Sequence, residues 1–238
     1  MRDLQPNPLF SDAYDAGERL GRKLAALPHI AQLDPATTVI LGVTEGGLPL
    51  AYMVGAVLPM RIEPAPVASV YAPSQRNIRV GMLVDDGTLY LEERLGLQHG
   101  AYGTTLDHLA DRAEVGLGAL MRSIGDAPGA LVNGCDAIVV DDIIGTGMTT
   151  IACSDWLREW GARSVHMAAA VATEHGYQRA LEVVDSVTVV SMLEDGQDPA
   201  CVFQRRPAAS TREVVALATA MRALNIDRDE PPASSSVR

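Results

Sequence analysis

The strongest constraint on the fold is the stretch over residues 137–150, AIVVDDIIGTGMTT, where an apolar run leads through two carboxylates into a glycine loop. The run is rich in β-branched residues and is typical of a buried strand that ends on Asp141 and Asp142. Residues 151–160 then have the pattern of an amphipathic helix, closed by Gly161. The loop therefore lies where a helix N-terminus presents unpaired N–H groups, which predicts an anion site suited to phosphate.

The same order of strand, glycine loop and helix occurs once earlier, with a strand over residues 37–43 and a helix over residues 48–58. The loop between them, which we call the first loop, consists of Thr44, Glu45, Gly46 and Gly47. Two such units predict an α/β fold in which a parallel sheet is flanked by helices. Ligands of such sheets bind beyond the carboxyl ends of the strands, where both glycine loops are expected.

The pattern along the chain predicts one domain over residues 1–226, with its core in residues 12–72 and 134–225. Residues 73–133 are predicted to be an inserted hairpin-plus-helix unit that covers the sheet edge as a hood. Residues 227–238 are rich in Ser, Pro and Asp, and we expect a disordered tail there.

Three local predictions concern the inserted unit and its approach. Alternating apolar residues around an Asp-Asp-Gly turn predict an antiparallel hairpin over residues 77–91, and residues 102–126 have a helical stripe. Residues 61–72 are predicted to form one strand, made irregular by two prolines.

Composition excludes several classes of function. The formal net charge of −11 argues against a general nucleic-acid binder, because phosphate backbones are held by clustered Lys and Arg. No segment is apolar for long enough to span a bilayer and the N-terminus has no signal-peptide core, so we expect a cytoplasmic protein without membrane contact.

The cysteines are widely spaced and odd in number, which favours free thiols over a disulfide or zinc framework: Cys135, Cys153 and Cys201.

The loop after the acid pair, Asp141 and Asp142, does not fit the common phosphate-binding fingerprints. A dinucleotide fingerprint would need a glycine at Thr150, and a P-loop would need a lysine that the loop lacks. A phosphoacceptor aspartate would not need the Gly-Thr-Gly-Met-Thr loop behind it. The alternative without a ligand is that the acid pair ends a strand and caps a helix, but two carboxylates at a core strand end are costly without a partner.

The acid pair and the loop together resemble the phosphoribosyl-pyrophosphate (PRPP) loop of type I phosphoribosyltransferases. The resemblance extends over most of residues 10–222 and is greatest to a bacterial subgroup whose substrates are mostly unassigned. It implies that Asp141 and Asp142 hold the ribose hydroxyls and serve in catalysis, with Mg²⁺ as cofactor held indirectly by the same carboxylates. It further implies that the 5′-phosphate is bound by the second loop, which consists of Gly145, Thr146, Gly147, Met148 and Thr149.

The chain departs from the pattern of that subgroup at three places. The first loop corresponds to the pyrophosphate loop, and Glu45 stands where the subgroup usually has Arg. Ser69 and Val70 replace an Arg-Lys pair on the third strand. Gly145 stands where enzymes that act on 6-oxopurines carry an Asp, so a hypoxanthine or guanine transferase is not expected.

The resemblance implies transfer of a phosphoribosyl group from PRPP, or from another 5-phosphoribosyl compound, to an unidentified acceptor. Two alternatives follow from the missing cations: a non-catalytic sensor of a nucleotide or ribose 5-phosphate, and an enzyme whose donor has no pyrophosphate, such as a nucleoside 5′-monophosphate. A homodimer is implied by the family. Weaker candidates for contacts with the acceptor are Tyr71, Tyr102, Arg205 and Arg206.

Overall fold

A computed structural model of the chain describes residues 8–44, 46–75, 78–124, 129–194, 197–205 and 210–229. The strands of the described residues are β1 (Thr38–Gly42), β2 (Arg61–Pro64), β3 (Val67–Tyr71), β4 (Arg79–Val84), β5 (Leu89–Leu91), β6 (Asp136–Ile144), β7 (Ser164–Ala172) and β8 (Ser186–Met192). The α-helices are α1 (Ala13–Ala25), α2 (Pro28–Ala31), α3 (Gly47–Val57), α4 (Glu93–Gln98), α5 (Gly103–Ile124), α6 (Gly129–Val132), α7 (Met148–Glu159), α8 (Glu174–Leu181) and α9 (Thr211–Asp229).

The central sheet has five strands in the order β2-β1-β6-β7-β8, and every pair in it is parallel. Strands β1 and β6 are neighbours, with Gly42 opposite Val140 in the register. The loops that follow them therefore lie side by side at the carboxyl edge of the sheet. The predicted fold class, a parallel sheet flanked by helices, is confirmed.

Alternate residues of the central strands belong to two apolar clusters, one on each face of the sheet. Ile40 and Ile138 pack with residues of α1, α3 and α9, whereas Val39 and Val139 pack with residues of α7. Because both faces are covered, the strands are continuous apolar runs rather than alternating ones.

A second sheet, β3-β4-β5, is antiparallel and stands beside the first; we call it the hood sheet. The predicted hairpin is confirmed, with β4 and β5 joined through a turn in which Gly87 has φ of 88°. The prediction of one strand over residues 61–72 is wrong, because the chain leaves the central sheet after Pro64 and β3 joins the hood sheet. The inserted antiparallel unit thus starts before residue 73.

The outer edges of the central sheet are both contacted by side chains. At the β2 edge, Asn225 of α9 accepts the N–H of Ile62 at 3.0 Å and donates to its carbonyl oxygen at 2.8 Å. At the β8 edge, Lys23 Nζ of α1 donates to the carbonyl oxygen of Val189 at 2.6 Å.

Helix α9 runs to Asp229, three residues into the segment predicted to be disordered, and residues 230–238 lie outside the described residues. Within the described part of the chain, every helix is too short or too polar to traverse a lipid bilayer.

Candidate functional site

The first loop packs directly against the end of β6. The Val43 N–H donates to the Val140 carbonyl oxygen at 2.9 Å, which extends the pairing of β1 and β6 beyond the last strand residue. A Cβ added at Gly47 would lie 2.2 Å from the same oxygen, and one added at Gly46 would lie 2.5 Å from Cγ of Asp142. Gly47 is therefore required by its close approach to the backbone of β6, whereas a side chain at Gly46 would displace the carboxyl of Asp142.

The other two residues of the first loop contribute differently. The Thr44 hydroxyl donates to the carbonyl oxygen of Val67 at 2.8 Å, so its side chain joins the loop to the hood sheet. Glu45, at the predicted pyrophosphate-loop position, lies outside the described residues.

The acid pair lies inside β6 rather than after it, because the strand continues through Ile144. Asp141 is 1% exposed, and its Oδ1 accepts the N–H of Asp142 at 2.8 Å. Its Oδ2 is buried and has no hydrogen-bond partner. A buried, unpaired carboxylate oxygen is unfavourable unless a ligand hydroxyl or a cation completes it.

The surroundings of Asp142 affect the ionisation of its carboxyl. The pKa of Asp142 is raised well above its ordinary value, first by burial and then by the negative charge of Asp141. The positive charge of Arg79, which comes from the hood sheet, lowers the same pKa and offsets part of the increase.

The second loop leads directly into the buried first turn of α7. Gly147 is the N-cap, has φ of 79° and has no side chain to cap the helix, so the first-turn N–H groups depend on neighbouring groups or on a ligand. Thr146 Oγ1 lies 3.4 Å from the N–H of Met148, and the Thr149 hydroxyl accepts Arg79 Nη1 at 2.8 Å. Thr150 Oγ1 is buried without a partner.

Gly145 differs from the other glycines of the site. A Cβ added there would meet no atom within 4 Å, so this position borders open space and could hold a side chain. Because Gly145 has no side chain, the space beside the second loop at this position is open.

Two side chains at helix α8 make hydrogen bonds to the backbone of the second loop. The Thr173 hydroxyl, which caps α8 by accepting the N–H of Gly176 at 3.0 Å, also donates to the Gly145 carbonyl oxygen at 2.6 Å. Arg179 Nη1 donates to the Thr146 carbonyl oxygen at 2.7 Å and pairs with Glu92 beyond the hood sheet. The loop geometry therefore depends on α8 and on a residue next to the hood sheet.

Sequence reasoning did not identify Arg79, Thr173 or Arg179. Thr173 had a signal, since it follows an apolar strand and precedes a helix in the position of an N-cap. Arg79 and Arg179 had no such sequence signal, because their neighbours in the chain do not distinguish them from exposed arginines.

Among the weaker candidates, Arg205 has its partner away from this site. Arg205 pairs with Asp12 at the start of α1, and Arg206 lies outside the described residues. Tyr102 is 59% exposed.

The described residues of the site could supply only some of the oxygen ligands that Mg²⁺ needs. Among the residues described, which omit Glu45, no group of three or more His, Cys, Asp or Glu is arranged to hold a metal ion. The unpaired Oδ2 of Asp141 and the carboxyl of Asp142 could supply protein oxygens to Mg²⁺, which commonly takes its remaining ligands from water and phosphate.

Comparison with known proteins identifies one domain family over most of the chain. A sequence model described as the phosphoribosyl transferase domain matches residues 12–203. Two Mycobacterium tuberculosis proteins, from strains CDC 1551 and H37Rv, carry provisional descriptions as phosphoribosyl transferases and are each 28% identical over 196 residues. The alignment covers 77% of this chain and 40% of each relative, so the chain spans about two-fifths of their length.

Among solved structures, the protein TT1426 from Thermus thermophilus shares the fold with a TM-score of 0.65 and 24% identity. The match covers 89% of this chain and 98% of that one.

Proposed function

Because the chain belongs to the phosphoribosyl transferase domain family, we propose that it binds PRPP or another 5-phosphoribosyl compound and transfers the phosphoribosyl group to an acceptor. The observation that carries the proposal is the unpaired, buried Oδ2 of Asp141 on the strand that leads to the start of α7, where the N-cap is a glycine. A ribose 5-phosphate unit has hydroxyl donors for the carboxylate and an anion for the helix start.

In this proposal the second loop binds the 5′-phosphate. The first-turn N–H groups of α7 and the hydroxyls of Thr146 and Thr149 are suited to donate to its oxygens, and the helix dipole adds to the attraction. Met148 contributes only its backbone, since its side chain is buried in the core. Thr173 and Arg179 keep the loop in place.

The acid pair then holds the ribose. Asp141 Oδ2 accepts one hydroxyl, and the negative charge of the pair stabilises the positive charge that develops at the sugar ring as the bond at C1 breaks. This is stabilisation by preorganised charge rather than proton transfer. Mg²⁺, when bound near Asp141 and Asp142, would neutralise donor phosphates.

One observation favours a second candidate, an enzyme or sensor whose ligand has no pyrophosphate. The carboxyl of Asp142 packs against Gly46 of the first loop, and Glu45 precedes that glycine in the chain. A pyrophosphate bound at this loop would face negative charge, whereas a nucleoside 5′-monophosphate or ribose 5-phosphate would need only the second loop.

A thermal-shift panel tests the proposal, with PRPP plus Mg²⁺, ribose 5-phosphate, a nucleoside 5′-monophosphate and unphosphorylated ribose as probes. We expect phosphorylated probes to raise Tm and ribose to leave it unchanged. Stabilisation by PRPP with Mg²⁺ alone favours the transferase, and stabilisation by monophosphates alone favours the second candidate. Phosphorus NMR of the probe incubated with a panel of candidate acceptors then separates an enzyme, which changes the probe, from a sensor.

The variant Asp141→Ala/Asp142→Ala should lose the shift while it retains a folded far-ultraviolet circular dichroism spectrum. Asp86→Asn is the matched control, because Asp86 belongs to another Asp-Asp pair, in the exposed hairpin turn. Unchanged calorimetric affinity in the double variant would contradict the proposal.

A homodimer and a cytoplasmic location stay predictions. Sedimentation velocity of the purified chain measures the first of them.

A further inference from the structure

Three successive carbonyl oxygens, at the end of β6 and in the second loop, all accept hydrogen bonds from α8 and its N-cap. The Thr173 N–H donates to the carbonyl of Ile144 at 3.0 Å, and the Thr173 hydroxyl donates to that of Gly145 at 2.6 Å. Arg179 Nη1 donates to the carbonyl of Thr146 at 2.7 Å. All three carbonyls therefore point toward α8.

The direction of these carbonyls sets the direction of the N–H groups that follow them. A trans peptide unit has its C=O and its N–H on opposite sides, and no peptide bond among the described residues is cis. The N–H groups of Gly145, Thr146 and Gly147 are therefore turned away from α8. A run of N–H groups on one side of a turn is suited to an anion.

Arg179 differs from Thr173 because its contact with the loop also involves the hood sheet. Its Nη1 donates both to the Thr146 carbonyl oxygen and to the carboxylate of Glu92, which directly follows β5. The carboxylate balances the charge of the guanidinium. An effect of Arg179 on a bound anion should therefore come from the orientation of the peptide rather than from net charge.

Helix α8 lies directly against the second loop at the base of this side chain. A Cβ added at Gly147 would lie 3.1 Å from Cβ of Arg179, and one added at Gly176 would lie 2.3 Å from the Gly145 carbonyl oxygen. The two backbones are thus in close contact. Replacing the guanidinium alone leaves this contact in place, so its effect on the loop peptide can be measured in a folded chain.

We propose that Arg179 is a positioning residue of the anion site: by holding the Thr146 carbonyl, it directs the Gly147 N–H to the phosphate of the ligand. This inference rests on the proposed function, since it assigns a role at the same site. Arg179 acts through the peptide and does not itself bind the phosphate. Because Glu92 holds the guanidinium, affinity for the phosphate depends on where the hood sheet lies, and the contact of Glu92 with Arg179 is a point of regulation.

Isothermal titration of the full chain with ribose 5-phosphate tests the role, using Arg179→Met, Arg179→Lys and the double variant Arg179→Met/Glu92→Gln. We expect Arg179→Met to weaken binding about tenfold, as for loss of one charge-assisted hydrogen bond. The double variant should stay as weak, because it has the net charge of the wild type while the carbonyl still lacks its donor. Arg179→Lys should recover part of the affinity, since an ammonium can donate to the same carbonyl.

Arg158→Met is the matched control. Arg158, near the other end of α7, also contacts a carboxylate and a backbone carbonyl, those of Asp185 and Val183. Neither of these groups belongs to the second loop. This variant should bind ribose 5-phosphate within about twofold of wild type.

Amide NMR with isotopically labelled glycine separates positioning from a general loss of structure. At saturating ribose 5-phosphate the Gly147 amide proton should move downfield in the wild type, because it donates to the phosphate, and should move less in Arg179→Met. A shift of wild-type size in Arg179→Met, an affinity of that variant within about twofold of wild type, or wild-type affinity in the double variant would overturn the role and leave the proposed function standing. A wild-type chain that binds no phosphorylated probe would overturn both.

Discussion

The carboxyl of Asp142 is held where its ionised form is unfavourable. Burial and the charge of Asp141 raise its pKa, so the folded chain binds this proton more tightly than the unfolded chain does. Stability from this group is therefore greatest at low pH and is lost as the pH rises from the ordinary carboxyl range through the raised pKa.

Asp142→Asn should therefore raise Tm at pH 7–8 in the absence of ligand and abolish binding of ribose 5-phosphate. Each kcal/mol recovered corresponds to about 2–4 °C in a chain of this size. Differential scanning fluorimetry across pH 4–8 checks the sign, since the gain should shrink toward pH 4. A Tm at or below that of the wild type at neutral pH would show that the Asp142 carboxyl does not lower the stability of the free chain.

Gly47 and Gly145 provide a matched comparison of two loop glycines. Gly47→Ala should lower Tm by several degrees, because the new Cβ would lie 2.2 Å from the Val140 carbonyl oxygen. Gly145→Ala should change it by less than about 2 °C, because that Cβ meets nothing within 4 Å. Thermal unfolding monitored by circular dichroism measures both, and equal losses would refute the packing argument.

At the level of elements, the second loop is held by α8, and α8 is joined through Arg179 to Glu92, which lies between β5 and α4. The pair is partly buried, with side-chain exposures of 28% and 21%. It connects three parts of the chain that meet at the site. Its strength should therefore exceed that of an exposed pair within one helix.

A double-mutant cycle on Glu92→Gln and Arg179→Met should give a coupling energy of about 1 kcal/mol or more in urea unfolding. The cycle on Glu18→Gln and Arg22→Met, an exposed pair within α1, serves as control and should give about 0.3–0.5 kcal/mol. A coupling at Glu92 and Arg179 no larger than the control would exclude them as a structural link.

For the whole molecule, α9 completes the central sheet at β2. Asn225→Ala removes the partner of both the N–H and the carbonyl oxygen of Ile62, and the residue is only 4% exposed. Leaving these groups buried and unpaired should cost about 2–3 kcal/mol of unfolding free energy. Urea denaturation measures it, and Thr219→Ala on the exposed side of the same helix should cost less than about 0.5 kcal/mol.

Features with a local period could be predicted from the sequence, and features made by distant contacts could not. The parallel sheet followed from apolar runs and glycine loops, and the hairpin followed from its Asp-Gly turn. The assignment of β3 to the hood sheet depends on pairing with β4, which no local pattern reveals. Arg79 reaches the site only through the packing of β4 against α7, and α9 continues to Asp229 despite a polar sequence that predicts disorder.

The side chains at the two margins of the central sheet affect how copies of the chain can associate. Open backbone groups at a sheet margin are templates for strand addition, which leads to polymerisation and amyloid-like growth. Here Asn225 takes both polar groups of Ile62, and Lys23 takes the carbonyl of Val189. Strand addition to the folded chain should therefore be hindered at Ile62 and at Val189.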